Sequence, residues 1–267
     1  HGPAGFPAGP FCLICGPAFA RLALSAPMPV ATFSTFEFNV VWTALGLGRL
    51  PFPLTAPAGP PVAGERTAVF EQLADRGLAI GSELRTEWVA LLHVLARPER
   101  SVDAVGRIVR PLAAIAATRE NVAVLALQDR GSVAVGPIRA GSLVESVVAL
   151  LPAEQAGPGH PVAVPVATVR RLLADARQTE LAGLADLPDA DAELLFGLAE
   201  GRVRGGQFGV NVADSTGRLR RGIPVVSWFD TPEGRYLMTN DGATLVIAPA
   251  DSARIAVRLH EVLADYR

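Results

Sequence analysis

Apolar and polar positions alternate, and change period, in a pattern that divides the chain into short elements. Phe36-Glu37-Phe38 reads as a short strand, and Val40 to Leu47 as a helix. A proline-rich connector follows from Leu50 to Gly64. Glu65 to Arg76 reads as a helix, with Gly77 as a left-handed cap. Ser82 is a good N-cap for the next helix. In that helix Leu84, Trp88, Leu91, Leu92 and Leu95 fall on one face, and Pro98 stops it. Four strand-like runs come next: Val102 to Ile108, Leu112 to Ala117, Val122 to Leu127 and Val133 to Ile138. Asp129-Arg130-Gly131 supplies the turn between the last two. A helix from Ser142 to Leu151 ends at Pro152.

After a linker at Gln155 to Pro161 the order recurs. Val162 to Val164 is a short strand. One helix buries Val166, Val169, Leu172, Leu173 and Ala176, and a second starts at Asp189 with Leu194, Leu195 and Leu198 on one face. Strands are expected at Gln207 to Val212, Ile223 to Phe229, Arg235 to Thr239 and Thr244 to Ala248. Asp230 to Gly234 and Asn240-Asp241-Gly242 are hairpin turns. The last helix begins at Asp251 and buries Ile255, Leu259, Val262 and Leu263. The closing elements of the two halves are offset by about 110 residues, a long internal period. Hairpin-linked strands imply antiparallel pairing. The expected class is α+β: a central, mostly antiparallel sheet with two helical bundles, pseudo-twofold from two similar halves at about 33–152 and 161–266.

Composition narrows the chemistry. The 267 residues carry 24 basic and 26 acidic side chains, a formal net charge of −2, and every basic residue is arginine. Without lysine there is no Walker A loop, pyridoxal Schiff base or kinase lysine. The charge balance argues against nucleic-acid binding by bulk electrostatics. Prolines interrupt every apolar run in the first 36 residues, so no membrane span is expected. Residues 1–27 read as an expression remnant or a disordered leader, with Met28 as the native start. Cys12 and Cys15 lie in that segment, with no second pair to complete a zinc site. The rest of the chain has no cysteine, and a reducing cytoplasm is the default expectation.

A search for a catalytic constellation finds little. His93 reads as a helix residue beside the core, and His160 sits in the linker. His260-Glu261 lacks the second histidine of a zincin. Gly201-Arg202-Val203-Arg204-Gly205-Gly206 can be read as an anion cradle or as a helix stop and turn. The helix-to-strand order favours the latter. Arg218, Arg220 and Arg221 read as a solvated hairpin tip near Asp214. The acidic run Asp186, Asp189, Asp191 and Glu193 suits a helix N-terminus and lacks the spacing of a Ca²⁺ loop. No cofactor or metal is expected.

Several phrases carry a family resemblance: GLGRLPFPL at Gly46 to Leu54, LARPER at Leu95 to Arg100, VAVPVATVRRLL at Val162 to Leu173, and WFDTPEGRYLM at Trp228 to Met238. From Phe33 to Tyr266 the chain resembles the EspG family, cytosolic chaperones of actinobacterial type VII (ESX) secretion. The resemblance implies a non-enzymatic, cytoplasmic protein. It would bind the hydrophobic tip of the PPE subunit of a PE–PPE heterodimer, keep the pair soluble and direct it to its secretion system. The family uses a loop between the first two hairpin strands and the C-terminal helical bundle. In this chain the loop falls at Val105 to Pro111, giving Val105, Arg107, Ile108, Val109 and Arg110 as partner-binding candidates. The bundle gives Leu194, Leu195 and Phe196. Three alternatives stay open. Ile108, Val109 and the flanking arginines could simply continue a strand. The protein could be an enzyme or small-ligand binder with a pocket between the halves. It could also be a dimerisation module, and weak homo-oligomerisation is compatible with any of these readings.

Overall fold

The computed structural model describes residues 30–57, 59, 63–168, 188, 195, 197–198 and 201–266. The expected leader with Cys12 and Cys15, most of the two helices expected between 166 and 200, and the acidic run at 186–193 apart from Pro188 lie outside the described residues.

The first half opens with β1 (Ala31–Ser34) running directly into α1 (Thr35–Ala44). The strand expected at Phe36–Phe38 is therefore the first turn of a helix. Ser34 and Glu37 explain why. The Ser34 hydroxyl accepts from the Glu37 N–H at 3.1 Å, and the Glu37 carboxylate accepts from the Ser34 N–H at 2.7 Å. This capping box satisfies two orphan donors and overrides the local alternation. After α2 (Ala63–Asp75) comes a small hairpin, β2 (Ala79–Ile80) and β3 (Glu83–Leu84), turned at Gly81 with φ +58°. Ser82 sits in that turn. Helix α3 (Thr86–Ala96) instead starts after Arg85, whose side chain makes no capping bond.

Strands β4 (Arg100–Arg107), β5 (Pro111–Arg119), β6 (Val122–Asp129) and β7 (Ser132–Ile138) form successive hairpins, and α4 (Leu143–Val148) follows. The second half contributes β8 (Val162–Pro165), β9 (Arg204–Ala213), β10 (Leu219–Arg221), β11 (Val225–Thr231), β12 (Gly234–Asn240) and β13 (Thr244–Pro249). It closes with α5 (Ser252–Ala264), capped by Asp251, whose carboxylate accepts from the Arg254 N–H.

Eleven strands make one antiparallel sheet in the order β1-β7-β6-β5-β4-β9-β11-β12-β13-β8, with β10 also pairing β9. Strands β1 and β8 take the two outer edges, and the hairpin strands fill the sheet between them. At the centre β4 pairs β9, from Arg100↔Val212 to Arg107↔Gly205. Gly106 and Gly206 lie opposite each other there. A Cβ on Gly106 would come within 2.6 Å of the Gly205 carbonyl oxygen, so close backbone approach requires the glycine.

Because side chains alternate across a sheet, two apolar layers form. On one face α1, α2 and α3 bury Phe38, Trp42, Phe70, Leu73, Trp88 and Leu92 against β1, β5, β6 and β7. On the opposite face α4 and α5 cover the centre, burying Val144, Val147, Ile255 and Leu259 against Val102, Ala104, Phe208 and Trp228. No described helix is long and apolar enough to cross a membrane.

Candidate partner-binding surface

The face of the central strands not covered by α4 and α5 carries polar residues in place of a continuous core. On β4 it presents Ser101, Asp103, Val105 and Arg107, because Val102 and Ala104 point the other way into the core. On β9 it presents Gly205, Gln207, Gly209 and Asn211. Gln207 is exposed although it lies on one of the two central strands of an eleven-stranded sheet.

Asp103 anchors one end of this face. Its carboxylate accepts from Asn211 Nδ2 at 2.9 Å, and from Arg221 Nη1 and Nη2 at 3.0 and 3.3 Å. Burial pushes its pKa up, and the Asn211 and Arg221 contacts only partly offset this. The Arg221 guanidinium occupies the space above Gly209 that a side chain would fill. It also lies 5.9 Å from the exposed Phe52 ring. Only part of the expected Arg218–Arg221 tip is solvated: Arg220 pairs with Asp214 at 3.0 Å, whereas Arg221 reaches inward to Asp103. The Asp214 carboxyl is held well below its usual range, chiefly by the Thr216 hydroxyl and then by Arg220.

At the other end, one cross-strand row runs Tyr236–Phe229–Gly205–Arg107–Pro111. Phe229 and Tyr236 stack with centroids 5.5 Å apart. Arg202 folds back over Gly205 and lies 5.4 Å from the Phe229 ring centroid. Gly205 and Gly206 are thus strand residues whose missing side chains make room for neighbours. The turn expected there is confined to residues before Arg204.

The sequence-derived candidates divide clearly. Val105 and Arg107 are strand residues of β4, not loop residues. The turn itself is Ile108 to Arg110, closed by the Ile108 N–H donating to the Arg110 carbonyl at 3.0 Å. Ile108 is half-buried and packs toward the α4–α5 core. Val109 stands at the tip, 85% exposed. Arg110 pairs with Asp129 at 3.1 Å. Leu195 is half-buried, and Leu194 and Phe196 lie outside the described residues. Sequence reasoning missed Val203, which is 66% exposed beside the same end of the sheet, and Phe229 as the seat for Arg202. The run Gly201 to Gly206 was the available signal, since paired glycines within a strand mark close approach of a neighbouring group.

The described residues also line open depressions elsewhere. One of about 830 Å³ is lined by Arg97, Glu99, Arg100, Arg119, Asp214 and Tyr266, at the opposite end of β4 from Val109. Asp103 does not line it. Asp103, whose pKa burial raises, and this depression therefore do not coincide. His93 is exposed on α3 and does not sit in the core. Among the described residues no group of three or more His, Cys, Asp or Glu side chains could hold a metal ion.

Comparison with known proteins decides the family. The sequence profile of the EspG family matches residues 34–261. The chain belongs to the EspG family. A solved relative by shape is the type VII secretion system chaperone EspG5 of Mycobacterium tuberculosis, determined in complex with the PE25–PPE41 dimer. The two superpose with a TM-score of 0.72 at 15% identity, over 88% of this chain and 95% of that one. At that identity the match speaks for the fold, and it agrees with the α+β architecture of an EspG protein. No curated protein sequence matches this chain.

Proposed function

We propose that this EspG protein is a non-enzymatic cytoplasmic chaperone. It would bind the hydrophobic tip of the PPE subunit of a PE–PPE heterodimer, keep the pair soluble and deliver it to its type VII secretion system. The observation that carries the reading is the family match across residues 34–261. The EspG5 neighbour, solved with a PE–PPE dimer, agrees with it. The surface chemistry is consistent. Val109 and Val203 stand exposed at one end of the sheet among Arg107, Arg110 and Arg202. An apolar centre with a charged rim suits the covering of an aggregation-prone apolar tip. The proposed contact residues are Val105, Arg107, Ile108, Val109 and Arg110, together with Leu194, Leu195 and Phe196.

The reading is tested by expressing a PE–PPE pair encoded beside this gene with and without the chaperone. The pair moves from the pellet to the soluble fraction only in the chaperone's presence. A pair equally soluble alone contradicts a chaperone role.

A further inference from the structure

Arg107 and Arg202 converge on one glycine. Arg107 is the cross-strand partner of Gly205, so its side chain leaves the sheet on the side where a Gly205 side chain would stand. Directly opposed Cβ positions lie about 5 Å apart. Arg202 fills that vacant position: a Cβ on Gly205 would come within 2.7 Å of Arg202 Nη2 and 3.0 Å of its Nε. Phe229, the partner of Gly205 on the other side, carries the Arg202 guanidinium on its ring. Arg107, by strand register, and Arg202, by its fold-back over Phe229, thus border the same glycine.

Among the described residues no acidic group lies within ion-pair distance of Arg107 or Arg202. By contrast, Arg110 is matched by Asp129, Arg204 by Asp230 and Glu154, Arg221 by Asp103, and Arg235 by Asp230. Two like charges side by side repel unless an anion is shared between them. A guanidinium seated on an aromatic ring keeps its N–H edge free, and that edge matches a carboxylate in two-point geometry.

We propose that Arg107 and Arg202 form a clamp for one carboxylate of the partner: an Asp or Glu side chain beside the apolar tip that Val109 and Val203 meet. The neighbouring valines favour a protein anion, because a nucleic acid or free phosphate gains nothing from them. The net charge of −2 also disfavours a polyanion. The inference rests on the chaperone reading above and specifies how that site would choose among similar apolar tips. Apolar burial supplies contact area, and the matched charge fixes register.

The test is titration of a purified PE–PPE pair against wild-type protein, Arg107→Gln, Arg202→Gln and the control Arg254→Gln on exposed α5, at 50 and 300 mM NaCl. Affinity of each clamp variant falls tenfold or more at low salt, and its salt dependence shrinks. The control matches wild type. Arg202→Glu loses binding and regains it when one partner acidic residue near the tip is changed to Arg. If wild type binds and both Gln variants stay within twofold of it, the clamp is wrong and the chaperone reading stands. If wild type does not bind the pair, the reading fails and the clamp falls with it.

Discussion

Arg235 and Asp230 form a two-point ion pair with both side chains fully buried: Nε donates to Oδ1 at 2.7 Å and Nη2 to Oδ2 at 3.0 Å. The remaining Arg235 donors reach Ser252 Oγ and the Pro152 carbonyl, each at 2.9 Å, and its guanidinium lies 5.2 Å from the Trp228 ring centroid. One side chain thus joins β12, the segment after α4 and the start of α5. Replacing Arg235 by Met leaves Asp230 buried with Arg204 as its remaining partner. We expect a loss of about 3–5 kcal/mol for breaking a buried pair. Urea denaturation measures it. A loss below 1 kcal/mol would show that the network does not hold these elements together.

Asp103 makes stability depend on pH in a direction opposite to that of most paired carboxylates. Its folded pKa lies above the ordinary value of 3.8 because burial outweighs the help from Asn211 and Arg221. The unfolded chain therefore releases the proton first as pH rises. The contribution of Asp103 to stability falls from pH 3.8 upward until the folded pKa is passed. Asp103→Asn removes this slope. The stability difference between wild type and variant should shift in favour of the variant as pH rises through that window. Parallel stability curves for the two proteins would contradict the assignment.

Gly106 tests the pairing of β4 with β9. Alanine there brings a Cβ within 2.6 Å of the Gly205 carbonyl oxygen and 2.7 Å of Gly206 Cα, both backbone atoms that cannot swing away. Forcing β4 from β9 should cost about 1–3 kcal/mol, the usual range for overpacking. Thermal melting reads it, and an unchanged midpoint would mean that the strands separate without cost.

Val109 sits at the tip with 85% exposure, while Ile108 is half-buried. Val109→Asp should leave the melting temperature within a degree or two, because an exposed tip makes few contacts. The same change should weaken capture of a PE–PPE pair at least tenfold. Full affinity would remove the β4–β5 tip from the interface. Ile108→Asp is the poorer probe, since a charge there enters the α4–α5 core.

Much of the fold could be read from local chemistry. Gly131 and Gly242 adopt φ +145° and +97° in the turns that their Asp-Arg-Gly and Asn-Asp-Gly sequences indicate. Asp251 caps the final helix where its position suggested. What was hidden depends on distant partners. Asp-Thr-Pro-Glu-Gly-Arg reads as a solvated turn, and nothing local shows that Asp230 and Arg235 are buried against Ser252 and Pro152. Leu219-Arg220-Arg221 looks like a charged tip, yet it pairs with β9 and sends Arg221 to Asp103, 118 positions away. Gly205 and Gly206 resemble a turn until the guanidinium and backbone above them are known. Arg107 and Arg202 are 95 residues apart in sequence; the β4–β9 register sets Arg107 beside Gly205, and the stack on Phe229 sets Arg202 over it.

The central claim is that this protein holds a PE–PPE pair in a defined complex. Light scattering on the co-purified material after size-exclusion chromatography tests it most directly. The account predicts a single peak whose mass equals one 27.9 kDa chain plus one copy each of PE and PPE. A peak at 27.9 kDa alone, with the pair eluting separately, would contradict it.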